Sequence, residues 1–169
     1  MTLPDSPEPA ATENASTAPR KSPSRYEPAL VPRLVAAQKA LITRFEELLA
    51  TIERDPATKA GAVEESLRQF TAVRHIETIW LYPIVAKAAD ADADARSQFA
   101  ELRLVGLILA RRVLRSFDEL TQAIRAEVLA VEAALRLGRA LVKYANHSER
   151  VVYPLYELVG SERQDSAAA

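Results

Sequence analysis

The sequence predicts an all-α, up-down-up-down four-helix bundle, and three observations lead there. Ala, Leu, Arg and Glu dominate while glycine occurs only four times, a composition that favours helix throughout. Apolar residues recur at spacings of three and four in four successive segments, each long enough for a bundle helix. A repeat divides the chain: His75-Ile-Glu77-Thr-Ile-Trp80-Leu-Tyr82-Pro83 is echoed by His147-Ser148-Glu149-Arg-Val-Val-Tyr153-Pro154, the prolines standing 71 residues apart. Such a repeat predicts two helical hairpins facing each other.

The chain of 169 residues, 49% apolar, suits one domain with a core. Residues 1–26 carry five prolines among Ser, Thr, Ala, Asp and Glu, so a disordered tail is expected. It reads as a solubilising tether, or alternatively as a partner-binding motif. The folded domain spans 27–160, and residues 161–169 are expected to fray.

The first helix is predicted from Pro28 to Arg54, with Leu34, Gln38, Leu41, Phe45, Leu48 and Ile52 on one face; Asp55-Pro56 stops it. The second covers Lys59 to Ala89, with Leu67, Phe70, Val73, Glu77, Trp80 and Ile84 inward and a kink or loosening at Pro83. Asp90 to Asp94 reads as a polar turn with an N-cap. The third helix runs from Ser97 to Ile124, with Leu102, Gly106, Leu109, Val113, Phe117, Leu120 and Ile124 facing in. A turn near Arg125–Val128 leads to the fourth, whose inward face is Leu137, Leu141, Tyr144, Ser148, Val152 and Leu155. Gly160 reads as its C-cap.

Composition excludes several functions. With no cysteine there is no disulfide, zinc-thiolate or iron-sulfur chemistry. No apolar run reaches the roughly 18–20 residues of a membrane span, and the N-terminus has no apolar h-region of a secretory signal. A net charge of −1 gives no footprint for nucleic acid. A cytoplasmic protein without membrane or nucleic-acid partners is expected. Arg111, Arg112 and Arg115 read as a solvated face, with a docking patch for an acidic partner as the alternative.

The Tyr-Pro endings, the repeat and the helix lengths resemble the hemerythrin-like (HHE) family over residues 28–159. The resemblance implies two irons between the halves. Each half would supply one histidine from its first helix and a His-x-x-x-Glu from its second, ten and six residues before the Tyr-Pro proline. Carried over by position, these slots hold Val73 and Glu77 in the first half and Tyr144 and Ser148 in the second. On the first helix the slot holds Gln38; on the third it holds Gly106, or Leu102. Of six implied ligands only Glu77 survives, so Gln38, Val73, Glu77, Gly106, Tyr144 and Ser148 form a degenerate site at the bundle centre.

Glu77 should then hydrogen-bond to Tyr144 or Gln38, a polar cluster replacing the metal, while Gly106 leaves room for water or a small ligand. The alternative metal set is Glu77, His75, His147 and Glu149. His75 stands about 200° around the helix from Glu77 at 100° per residue, which keeps both from facing the axis. The leading expectation is a non-catalytic binding or regulatory module, with an unidentified protein partner and no cofactor. The alternatives are an iron protein with a rearranged site handling oxygen or peroxide, and a small-ligand binder using the vacated centre. No serine or carboxylate pair has a partner suited to nucleophilic or acid–base catalysis.

Overall fold

The computed structural model describes residues 26–51, 56–126 and 130–168. They form α1 (Leu30–Thr51), α2 (Pro56–Ile76), α3 (Tyr82–Ala89), α4 (Ala93–Arg125), α5 (Ala130–His147) and α6 (Tyr153–Ala168). A π turn, Glu77–Leu81, joins α2 to α3, and another, Ser148–Val152, joins α5 to α6. The described residues thus form four helical rods and no strand. α1 packs on α2 and α5, and α4 packs on α2 and α5, an arrangement compatible with a four-helix bundle. No described helix is long and apolar enough to cross a membrane.

The two π turns explain the two Tyr-Pro pairs. Proline lacks an N–H, and its ring collides with the carbonyl four residues back, so an ordinary α-helical ladder cannot pass through it. The chain widens by one residue instead. The Tyr82 N–H donates to the Glu77 carbonyl and the Tyr153 N–H to the Ser148 carbonyl, each five residues back. The loosening that the sequence predicted at Pro83 takes the form of a widened turn just before it.

The wider turn also shifts the inward face. Trp80, expected inward, is 40% exposed, while Leu81 and Tyr82 are buried. In the second half Leu155 is only half-buried, and Tyr153 and Tyr156 take the core positions. An assumption of 100° per residue fails at these two places because a five-residue spacing replaces a four-residue one.

Two further expectations are corrected at the C-terminal end. The last helix continues to Ala168 rather than ending before a cap at Gly160. Gly160 is therefore not a C-cap. It lies buried inside α6, and its missing side chain admits the Tyr26 ring, which a methyl group there would overlap. Tyr26 stacks on Tyr156 with centroids 4.9 Å apart, and the Glu27 N–H donates to the Tyr156 hydroxyl at 2.9 Å. The expected disordered tail, 1–26, otherwise lies outside the described residues. The N-cap is found at Asp92, whose carboxylate accepts from the Asp94 and Ala95 N–H groups at 3.3 and 3.2 Å.

The core has two parts. One is built on Leu41, Phe45, Phe70, Val113, Phe117 and Leu137. The other is built on Leu30, Leu34, Val73, Leu81, Tyr153 and Tyr156. Cross-rod contacts include Arg44–Glu65, Phe70–Phe117, Tyr82–Phe99, Glu119–Arg136, and the face of Gly138 against the Phe45 ring.

Alanine at two glycines should act in opposite directions. Gly61 is exposed within α2 and a methyl group there meets nothing within 4 Å, so Gly61→Ala should stabilise by up to about 1 kcal/mol through helix propensity. Gly160→Ala must displace Tyr26 and should cost about 1–3 kcal/mol. Chemical denaturation of both variants checks the pair of signs.

Candidate functional site

Between the two core regions lies a buried polar cluster centred on Glu77. Its side chain is 0% exposed, and a carboxylate in that position requires hydrogen-bond donors from its surroundings. Four groups supply them. The Tyr144 hydroxyl of α5 makes a short hydrogen bond to Oε2. The Tyr153 hydroxyl, at the start of α6, donates to Oε1 at 2.8 Å. Gln38 Nε2 of α1 reaches Oε1 at 3.5 Å, and Arg74 Nη1 of α2 reaches Oε2 at 3.5 Å. Arg74 Nη1 also donates to the Tyr144 hydroxyl at 3.2 Å, so that hydroxyl accepts from a cation while donating to an anion. One carboxylate thereby ties three rods together.

Local sequence explains each placement. Arg74 and Glu77 are three residues apart on one helix and meet on its surface. Glu77 and Ser148 open the two π turns, and Tyr82 and Tyr153 follow them five residues later on the same side. The Arg74 guanidinium lies over the Tyr144 ring at 5.7 Å and the Tyr82 ring at 6.0 Å. The Phe70 ring meets Tyr144 edge-on at 5.1 Å, closing the cluster on its apolar side.

The phenols are strongly protonated. Burial first, then the negative charge of Glu77, pushes the Tyr144 hydroxyl far above its ordinary range, with Arg74 partly opposing. Tyr153 is raised by the same two causes, with a hydrogen bond from Ser148 opposing. Tyr82 is raised by burial and by Glu77. Both hydrogen bonds into the carboxylate therefore come from neutral hydroxyls that keep their protons at neutral pH.

Of the residues the sequence pointed to, Gln38, Glu77 and Tyr144 meet directly, and Ser148 joins through Tyr153. Val73 is buried in the adjoining apolar core. Gly106 does not open a ligand pocket. The Tyr82 hydroxyl and His147 Nε2 occupy that space, 3.0 and 3.4 Å from where a methyl group would stand. His147 Nε2 and Gln38 Oε1 are buried without a hydrogen-bond partner in the protein. A cavity of about 10 Å³ lies beside Gln38, Phe70, Val73 and Tyr144.

The alternative metal set is divided between surface and interior. His75 is exposed, Glu149 is half-buried, and no three His, Cys, Asp or Glu side chains gather into a metal-holding group among the described residues. The donors around Glu77 also fit a di-iron centre poorly. They are an amide, two phenols held above their ordinary range and a guanidinium, whose fixed positive charge beside the carboxylate repels a cation.

Two members of the cluster escaped sequence reasoning. Tyr153 falls off the inward stripe at 100° per residue and returns to it only through the π turn, for which the following proline was the available signal. Arg74 was legible as the i,i+3 neighbour of Glu77. Comparisons of the chain with protein-family models, with curated proteins and with solved structures gave no match.

Tyr144→Phe and Tyr153→Phe should each cost about 1.5–3 kcal/mol, the range for hydrogen bonds to a charged group. The double variant should depart from additivity by at least about 0.5 kcal/mol, since both act on one carboxylate; a denaturation cycle measures this. Alkaline pH gives a second check. A tyrosine raised in the fold contributes stability that is complete below its unfolded pKa of about 10 and is lost as pH climbs toward the folded value. With Tyr82 also raised, stability should fall by at least about 2.7 kcal/mol per pH unit above about pH 10, the share of the raised Tyr144 and Tyr153 alone. Tyrosinate absorbance from these two residues should appear only on unfolding.

Proposed function

We propose that this chain is a hemerythrin-like, up-down-up-down four-helix bundle in which the Glu77 hydrogen-bond cluster stands in place of the di-iron centre, and that it acts as a non-catalytic binding or regulatory module. The observation that carries the reading is the saturation of Glu77 by donors from three rods. Those donors occupy the oxygen lone pairs that a bridging carboxylate would offer to metal.

Contacts between the rods support the topology. Gln38 meets Glu77 while Arg44 meets Glu65, so one number rises as the other falls. The same holds for Phe70–Phe117 with Tyr82–Phe99 and for Gly106–His147 with Glu119–Arg136. It holds again for Tyr26–Tyr156 with Phe45–Gly138. Opposed numbering between neighbours is what alternating rods produce. The two π turns at equivalent places support a duplicated hairpin.

The competing readings find less support. An iron site rearranged onto Glu77, His75, His147 and Glu149 would need His75 to leave the surface. A small-ligand site at the centre meets a cavity of about 10 Å³, room for one water molecule and no organic molecule.

Metal analysis of protein expressed with added iron, with its visible spectrum, tests the reading. Folded, colourless protein with far less than one iron per chain is expected. Stoichiometric iron with an oxo-bridge absorption would overturn it.

A further inference from the structure

The outer face between α4 and α5 carries a groove of about 590 Å³ lined by six cations and one carboxylate. Arg111, Arg112 and Arg115 stand on the α4 side, and Arg136, Arg139 and Lys143 on the α5 side. The carboxylate, Glu119, is taken by Arg136 at 3.4 Å, and Arg136 also meets Glu132 at 2.9 Å. The other five cations have no ion-pair partner among the described residues. Elsewhere Arg33, Arg44, Arg68, Arg74 and Arg96 each face a carboxylate, while the other cations without an ion pair among the described residues, Arg103, Arg125, Arg150, Lys39, Lys59 and Lys87, are spread over the remaining helices. In a chain of net charge −1, five cations without an ion pair thus line one concavity.

Arg111 and Arg115, and Arg139 and Lys143, are like charges one helical turn apart, and they repel. A bound polyanion would convert that repulsion into attraction. We propose that the α4/α5 groove is a binding site for a small molecule bearing two or more phosphoryl groups. Four of the five unpaired cations are arginines, whose planar forks match phosphate oxygens in pairs. The groove volume lies within the roughly 300–1,000 Å³ of small-molecule sites. Ser116 adds a hydroxyl to the lining.

Other occupants fit less well. Two-fold pairing with a second copy would set this basic face against itself. An acidic helix needs apolar anchors one turn apart, and Ile108 is the one large apolar side chain in the lining.

Calorimetric titration of the full chain with tripolyphosphate at about 0.15 M salt tests the proposal. Saturable one-to-one binding is expected, at least tenfold tighter than that of inorganic phosphate. Arg111→Gln with Arg115→Gln should weaken it tenfold or more without lowering the melting temperature of the free protein. Arg139→Gln with Lys143→Gln provides the same readout from the opposite wall should the first pair fold poorly. Arg33→Gln with Arg96→Gln, an equal change in net charge elsewhere, should leave the affinity unchanged. No binding of tripolyphosphate at millimolar concentration overturns the proposal, as does equal weakening in the control pair. Binding to phosphatidylserine vesicles or to a Glu/Leu heptad peptide without binding to tripolyphosphate also overturns it.

Discussion

A carboxylate with no solvent contact sets the terms for the middle of this molecule. Removing an ion from water costs several kcal/mol unless its surroundings replace the lost hydrogen bonds. Glu77 obtains replacements from α1, α2, α5 and the start of α6. Each donor must hold its rod at hydrogen-bonding distance, so the cluster fixes the spacing of three rods at once. The apolar regions on either side supply most of the burial, yet neither selects the polar register between them. Arg74 balances the charge and, lying against two tyrosine rings, is itself held in place.

The π turns are the means by which the tyrosines reach the carboxylate. A proline after Tyr82 and another after Tyr153 force one extra residue into the preceding turn. That residue carries Tyr153 round to the face that Ser148 already occupies, and Tyr82 to the face of Glu77. A backbone constraint written as Tyr-Pro thus becomes a side-chain arrangement. Gly106 adjoins it: a methyl group there would stand 3.0 Å from the Tyr82 hydroxyl, which would have to give by a few tenths of an ångström, and 3.4 Å from His147 Nε2.

Much of this was legible in the sequence. The four apolar stripes gave the rods, and the single polar residues within them, Gln38 and Glu77, turned out to be bonded neighbours. Tyr144 was legible for the same reason. What a period of 3.6 residues cannot show is a local change of period. A uniform period therefore puts Trp80 inside and Tyr153 outside, and both residues lie within or just beyond a π turn. Gly160 misled differently: a glycine near a helix end resembles a C-cap, whereas here it makes room for a ring from residue 26, across the bundle. Tertiary contact decided that position, and no local pattern encodes it.

The central claim is that protein donors, not metal, satisfy Glu77. Crystals of protein expressed in iron-supplemented medium, measured with anomalous diffraction at the iron edge, address it directly. The account predicts no anomalous peak within coordinating reach of the Glu77 carboxylate, and the Tyr144 and Tyr153 hydroxyls within hydrogen-bonding distance of its two oxygens. An iron peak bound by Glu77, with either tyrosine hydroxyl displaced from it, would contradict the account.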